Sequence, residues 1–274
     1  MYQELLHLEI PLGLVQVNSY SFFLWIAILV ATVGFYRRCR AHALSRRKSF
    51  VISAGIIGAA VLGARLFHIV TNISLYQKYP VKIFALDANG FSVYGAILLV
   101  GIVGFLTARI TSFPMWKVFD EMVPYIGISI IIARIGCFLN GCCFGKVSNL
   151  PWAVRFPFFS AAHLYQISTG QTNLMTSLPV HPTQLYEALG ALISMFLAMC
   201  IHKKKKVNGS KILVFVASFS VVRFIIHYVR VFPDSFVGIA PLFPVLYIGI
   251  IFFCLFLLFQ KIASSKKIVA RKSR

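Results

Sequence analysis

Ala133-Arg134-Ile135-Gly136-Cys137-Phe138-Leu139-Asn140-Gly141-Cys142-Cys143-Phe144-Gly145 decides how this chain is read. It starts inside an apolar run of membrane-helix character, places an arginine there, and then breaks into glycines, an asparagine and three cysteines. An arginine at membrane depth is costly and marks function by default. Backbone that leaves the helix at that depth must be buried in protein or line a watery hollow. The stretch therefore proposes a polar pocket near one membrane surface, walled by the rest of the chain.

Working outward, apolar runs of nearly membrane-spanning length recur along all 274 residues. The chain is 59% hydrophobic and 12% charged, with a mean hydropathy of +0.82. A soluble domain carries roughly 25% charged residues. One all-α polytopic membrane domain over residues 1–274 is expected, with seven helices near 20–36, 50–70, 91–108, 119–139, 183–201, 211–230 and 244–260. Residues 1–19 read as a short lead-in. Arg37, Arg38, Arg40, Arg46, Arg47 and Lys48 follow the first span, and Lys203-Lys204-Lys205-Lys206 follows the fifth. Basic loops stay cytoplasmic, so the N-terminus is expected outside, and the tail 261–274 inside. External segments then fall at 71–90 and 140–180, the second with a short strand expected at 152–156. No signal peptide is expected, because the first lysine or arginine is Arg37. The net charge of +20 is assigned to these loops and to anionic lipid rather than to nucleic acid.

Arg65, Arg134, Arg223 and Arg230 do not fit that assignment, since the expected directions put all four in the outer half of the membrane. Arg223, His227 and Arg230 are spaced i, i+4 and i+7, one helix face; Arg65 and His68 are spaced i and i+3. Snorkelling to the interface explains any one of them. Several together, with only Glu187 and Asp234 to neutralise them, point to an anion site, and a planar guanidinium suits phosphate. In a membrane the bulky anion at hand is a phospholipid head group. His181-Pro182-Thr183-Gln184-Leu185-Tyr186-Glu187 opens the fifth helix, with Pro182 suited to its first position. His181, Gln184 and Glu187 are expected to line the pocket and face Arg134.

The six cysteines include Cys39 in a basic loop and Cys200 and Cys254 in apolar runs, so they form no disulfide scaffold. Cys137, Cys142 and Cys143 lack the two spaced pairs of a common zinc site, and no metal is expected. A disulfide between Cys137 and Cys142 or Cys143, and a reactive thiolate beside Arg134, both remain open.

These blocks together resemble the bacterial prolipoprotein diacylglyceryl transferases. Residues 134–145 resemble that family's signature, His181 to Glu187 a second block, and Arg223 to Arg230 with Pro233-Asp234 a third. Tyr20, Gly63-Ala64-Arg65 and Tyr94-Gly95 sit where the family has further motifs. The resemblance implies a seven-helix plasma-membrane enzyme, with its site toward the extracytoplasmic side and without cofactor. It would move diacylglyceryl from phosphatidylglycerol to the lipobox cysteine of a prolipoprotein, releasing glycerol phosphate. Arg134, Arg223, His227 and Tyr94 are then the expected catalytic residues. Arg65, Arg134, Arg230, Tyr20, Asn140, Gly145, His181, Gln184 and Glu187 are the expected substrate-binding ones. The chain departs from the family where histidine becomes Tyr94, asparagine becomes Cys137, and two glutamates become Cys142 and His227. A base moved to His227 fits those departures. Two other readings stand beside this one: a phospholipid-using transferase with another acceptor, and a non-catalytic lipid-binding or transport protein.

Overall fold

A computed structural model describes residues 4–10, 13–42, 44–84, 92–111, 114–205, 207–232 and 240–272. The side chain of Tyr94, and Pro233 and Asp234 entirely, lie outside the described residues. The chain divides into two compact units, residues 1–31 with 119–274, and residues 32–118. Among the described residues, six helices are long and apolar enough to cross a membrane, which makes the chain a multi-pass membrane protein. They are α1 (Ser19–Ala41), α2 (Arg46–Thr71), α5 (Met115–Asn140), α7 (Thr183–Lys205), α8 (Ser210–His227) and α9 (Leu242–Lys272). The expected third span is a helix too, α4 (Val93–Thr111), of which Leu98–Thr107 forms a shorter apolar stretch, and a short helix α6 (Ala161–Ser168) lies between α5 and α7 in the chain.

The lead-in expected at 1–19 is instead an antiparallel hairpin of β1 (Glu4–Ile10) and β2 (Gly13–Asn18), paired from Ile10 with Gly13 out to Glu4 with Asn18. Its alternating apolar and polar residues suit a ladder with two different faces. Cys39, expected in a loop, is buried within α1, because that helix runs on through the arginines to Ala41. The span expected at 211–230 ends three residues early, at His227.

In the unit of residues 32–118, Ser45 caps α2, its hydroxyl accepting from the Lys48 amide. Gly63 of α2 and Gly95 of α4 meet so closely that a methyl group on either would strike the other's carbonyl. Helices that bury little apolar surface against each other in lipid rely on such close backbone approach. Beyond α2, the short helix α3 (Ile73–Lys78) and a tight helical turn at Pro80–Phe84 complete this unit's described residues before α4.

In the larger unit, Gly136 of α5 lies against Phe23 of α1, and Ser129 donates to the Ala27 carbonyl at 2.9 Å. Gly190 of α7 receives Val222 of α8. Val123, Ala198, Val214 and Phe215 join α5, α7 and α8 in one core. Asp120, buried in α5, caps α8: its carboxylate accepts from the Gly209 amide at 2.6 Å and the Ile212 amide at 2.9 Å. The free N–H groups and positive end of a helix favour a carboxylate there. The outward phenyl rings of α9, such as Phe252 (69% exposed) and Phe259 (73% exposed), suit an acyl-chain environment rather than water.

Candidate active site

The site is built in the larger unit from the end of α5, the loop after it, the start of α7 and the end of α8. At Asn140 helix α5 stops, and Gly141 turns the chain with a φ of 71°, its α-carbon too close to Ser160 to carry a side chain. Cys143 follows at a φ of 58°, which is uncommon for a residue other than glycine. The first turn of α7 holds this loop in place. The Thr183 hydroxyl donates to the Cys143 carbonyl at 2.6 Å, and the Gln184 amide donates to the Cys142 carbonyl at 2.6 Å. Helix α7 thus fixes the backbone of both cysteines.

Glu187, one turn further along α7, is fully buried. Arg134 Nε lies 2.6 Å from its Oε2, and Arg223 and Arg230 each donate from Nη1 to its Oε1 at 2.6 Å. One carboxylate therefore serves three guanidinium groups, leaving a surplus of two positive charges. Burial of an unneutralised charge is expensive, so a site built this way is prepared for an anion. Arg223 also donates to the Tyr247 hydroxyl at 3.1 Å. Arg230 Nε is buried without a hydrogen-bond partner.

Arg230 arrives by a route that the heptad-like spacing did not foresee. It lies beyond the end of α8, in an antiparallel bridge with Gly145. The Lys146 amide donates to the Val229 carbonyl at 2.7 Å, and the Gly145 amide to the His181 carbonyl at 3.0 Å. Gly145 has His181 on one side and Val229 on the other, with no room for a side chain. Arg230 thus joins Arg134 and Arg223 through sheet pairing, not through a shared helix face.

A cavity of about 1010 Å³ opens beside Arg230. Lys146 and His227 line it with Arg230, and Phe144, Phe232 and Pro244 supply apolar walls. Cationic groups next to apolar walls match the two halves of a phospholipid, head group and glyceride. His227 packs against Tyr228, Phe232 and Phe243, and its Nδ1 is buried without a partner.

Next to the guanidinium cluster sit three free thiols, with the sulfurs of Cys137, Cys142 and Cys143 all within 4.8 Å of one another. Arg134 Nη1 lies 3.8 Å from Cys137 Sγ. Hydrogen bonds from the Cys137 and Cys142 thiols hold the Cys143 thiol well below its ordinary range, and Arg230 and Arg134 favour the same thiolate. Hydrogen bonds with Cys137 and Cys143, together with burial, push the Cys142 thiol up. Tyr20, near the start of α1, interacts electrostatically with these thiols and with Arg134.

With the geometry in view, comparison with known proteins is decisive. The sequence model of the family described as prolipoprotein diacylglyceryl transferase matches residues 7–261. The chain belongs to that family. It is similar to the phosphatidylglycerol–prolipoprotein diacylglyceryl transferase of Clostridium tetani, with 27% identity over 78% of this chain and 81% of that protein. The second such transferase of Clostridium perfringens is 26% identical over 82% and 83%, and that of Vibrio vulnificus 29% over 83% and 76%.

Of the expected family residues, Arg134, Arg223, Arg230, Glu187, Gln184, Gly145 and Tyr20 come together here, and Asn140 ends α5 at the edge of the loop. His181 was expected to face Arg134. Instead its Nδ1 is 3.3 Å from the Tyr186 hydroxyl, which accepts from Trp152 Nε1, while its backbone pairs with Gly145 and Lys146. The strand expected at 152–156 is reduced to a single bridge between Val154 and Val180. Arg65 belongs to the unit of residues 32–118. There it lies over the Tyr76 ring, donates to the Ile83 carbonyl at 3.1 Å and also bonds the Lys82 carbonyl. Sequence reasoning missed Lys146 and Tyr247. Lys146 follows Gly145 directly, and Tyr247 is a polar tip in an otherwise apolar run, the only local signals either residue gives.

Proposed function

We propose that this protein transfers the diacylglyceryl group of phosphatidylglycerol to the lipobox cysteine thiol of prolipoproteins, at the extracytoplasmic face of a bacterial plasma membrane. The observation that carries this reading is that one buried carboxylate, Glu187, is shared by Arg134, Arg223 and Arg230. The donor head group is a phosphodiester with one negative charge. When the bond between its phosphate oxygen and the diacylglyceryl carbon breaks, a phosphomonoester with a second negative charge departs. Two surplus positive charges, fixed before the reaction, stabilise that development of charge more than they stabilise the ground state.

The acceptor thiol attacks the glyceride carbon as its proton leaves. His227 takes that proton, since its Nδ1 is unpartnered and its ring lines the cavity. Lys146 and Arg230 receive the head group, and the apolar walls receive the glyceride. Helix α4 serves as a seventh span in this reading, which puts the N-terminus outside, the basic tail inside, and the site near the outer surface.

The test uses purified protein in vesicles containing phosphatidylglycerol, with a lipobox peptide as acceptor. The peptide gains one diacylglyceryl group as a thioether, with an equal release of glycerol phosphate, and a peptide with serine for cysteine gains none. Head-group turnover without peptide modification, or no turnover at all, refutes the assignment.

A further inference from the structure

We infer that Cys137, Cys142 and Cys143 form a zinc site whose open fourth position binds and activates the acceptor thiol. This deepens the function proposed above and rests on it for the identity of the thiol, though not for the metal. Three observations carry it. The three sulfurs lie within 4.8 Å of one another. A point central to such a triangle is at most about 2.8 Å from each sulfur, and zinc–thiolate bonds are about 2.3 Å. Shifts of about half an ångström per sulfur therefore complete the coordination, within the reach of ordinary side-chain torsions.

The second observation is preorganisation. Cys143 stands in the left-handed region, and the carbonyls of Cys142 and Cys143 are tied to Gln184 and Thr183 at 2.6 Å each. Adjacent cysteines in regular helix or strand point apart. The left-handed residue breaks that rule and brings both sulfurs to the same side as Cys137, one turn back on α5. The Gln184 side chain is 1% exposed, and the oxygen of the same amide that holds Cys142 has no partner. An N–H of an arriving peptide would satisfy it.

The third observation is charge. Zinc with three thiolates carries one negative charge, an unusual thing to bury. Here it sits beside a cluster with two surplus positive charges, with Arg134 3.8 Å from Cys137 Sγ. The anionic complex offsets one of the two surplus positive charges and leaves one for the donor phosphate, so a cation and three arginines share one site without conflict.

Three protein ligands and one exchangeable position is the arrangement of catalytic rather than structural zinc. A thiol entering the fourth position loses its proton more readily, because the cation favours the thiolate. That proton goes to His227. The zinc-bound sulfur then uses a lone pair to form the carbon–sulfur bond as the carbon–oxygen bond to phosphate breaks. The electron pair of that bond leaves on glycerol phosphate, and the thioether, a weak ligand, dissociates from the metal. No oxidant or reductant is needed.

The experiment measures metal directly. Protein purified without chelator or polyhistidine tag, then incubated with zinc and desalted, is expected to hold about one zinc per chain. Cys137→Ser, Cys142→Ser and Cys143→Ser are each expected to lower that at least about tenfold. Cobalt exchanged into the wild-type protein gives thiolate charge-transfer bands, and these shift when the lipobox peptide is added but not when its serine analogue is. This measurement keeps the inference falsifiable if a variant fails to fold. Wild-type protein with no zinc above background, serine variants that keep their zinc, or a cobalt spectrum indifferent to the peptide thiol each overturn it. Protein that transfers diacylglyceryl at full rate after its metal is stripped overturns the zinc site and leaves the proposed function standing. Zinc binding without any lipid turnover does the reverse.

Discussion

Replacing Glu187 with glutamine removes the charge that three arginines share while leaving size and shape nearly intact. Each guanidinium approaches the carboxylate to 2.6 Å. With charge centres about 4 Å apart and an effective dielectric of about 20, each attraction is worth about 4 kcal/mol. The substitution forfeits all three attractions and leaves the guanidinium groups repelling one another as before, while sparing the cost of burying a charged carboxylate, so the net loss is expected at the ~3–5 kcal/mol seen when one partner of a buried ion pair is removed. A fall in Tm of about 10 °C in detergent is expected. The variant also has a signature that a packing defect lacks. Its three uncompensated cations should recruit an anion, so glycerol phosphate is expected to restore much of the lost Tm while barely moving the wild type. Thermal unfolding with and without glycerol phosphate measures both. A Tm within about 2 °C of wild type, or a loss that glycerol phosphate does not repair, would show that the carboxylate is not the keystone of a cationic anion site.

Other substitutions separate positioning from chemistry. Arg134→Ala and Arg223→Ala should each lower transfer at least about 100-fold while the protein still inserts and is recovered at normal yield; retention of activity by both would refute their role in holding the departing phosphate. His227→Ala should slow single-turnover transfer about 100-fold and leave the affinity for phosphatidylglycerol within about twofold, so an unchanged rate removes it as the base. Asp120→Ala, which strips the cap from α8 far from the thiols, should cost about 1–2 kcal/mol and about 3–6 °C in Tm with little change in peptide KM. A change in KM larger than the change in stability would mean that α8 transmits strain to the site.

How much was legible beforehand differs from residue to residue. Six of the seven expected spans were readable because crossing a bilayer demands long apolar runs, whatever they pack against. Arg134, Arg223, Arg230 and Glu187 were readable because charge at membrane depth has few innocent explanations. The hairpin at Glu4–Asn18 was not, since its strands are short and their partner is each other across a turn. Cys39 was misplaced because arginine is a good helix former, and α1 runs straight through the basic stretch. Lys146 was invisible because a single lysine in a loop becomes a cavity wall only when that loop folds back on Val229.

The amino-acid order by itself determined that this is a multi-pass membrane protein, that arginines with few acids beside them interrupt or close its apolar runs, and which family it resembles, because hydropathy and motif are local properties of the chain. Only the tertiary structure decided which charges meet. It carried Arg230 to Glu187 through a bridge to Gly145 rather than along a helix face, and turned His181 toward Tyr186. It also gathered three sulfurs whose spacing in the chain argued against a common ion, because a left-handed residue and two side-chain ties at Thr183 and Gln184 set directions that spacing cannot express.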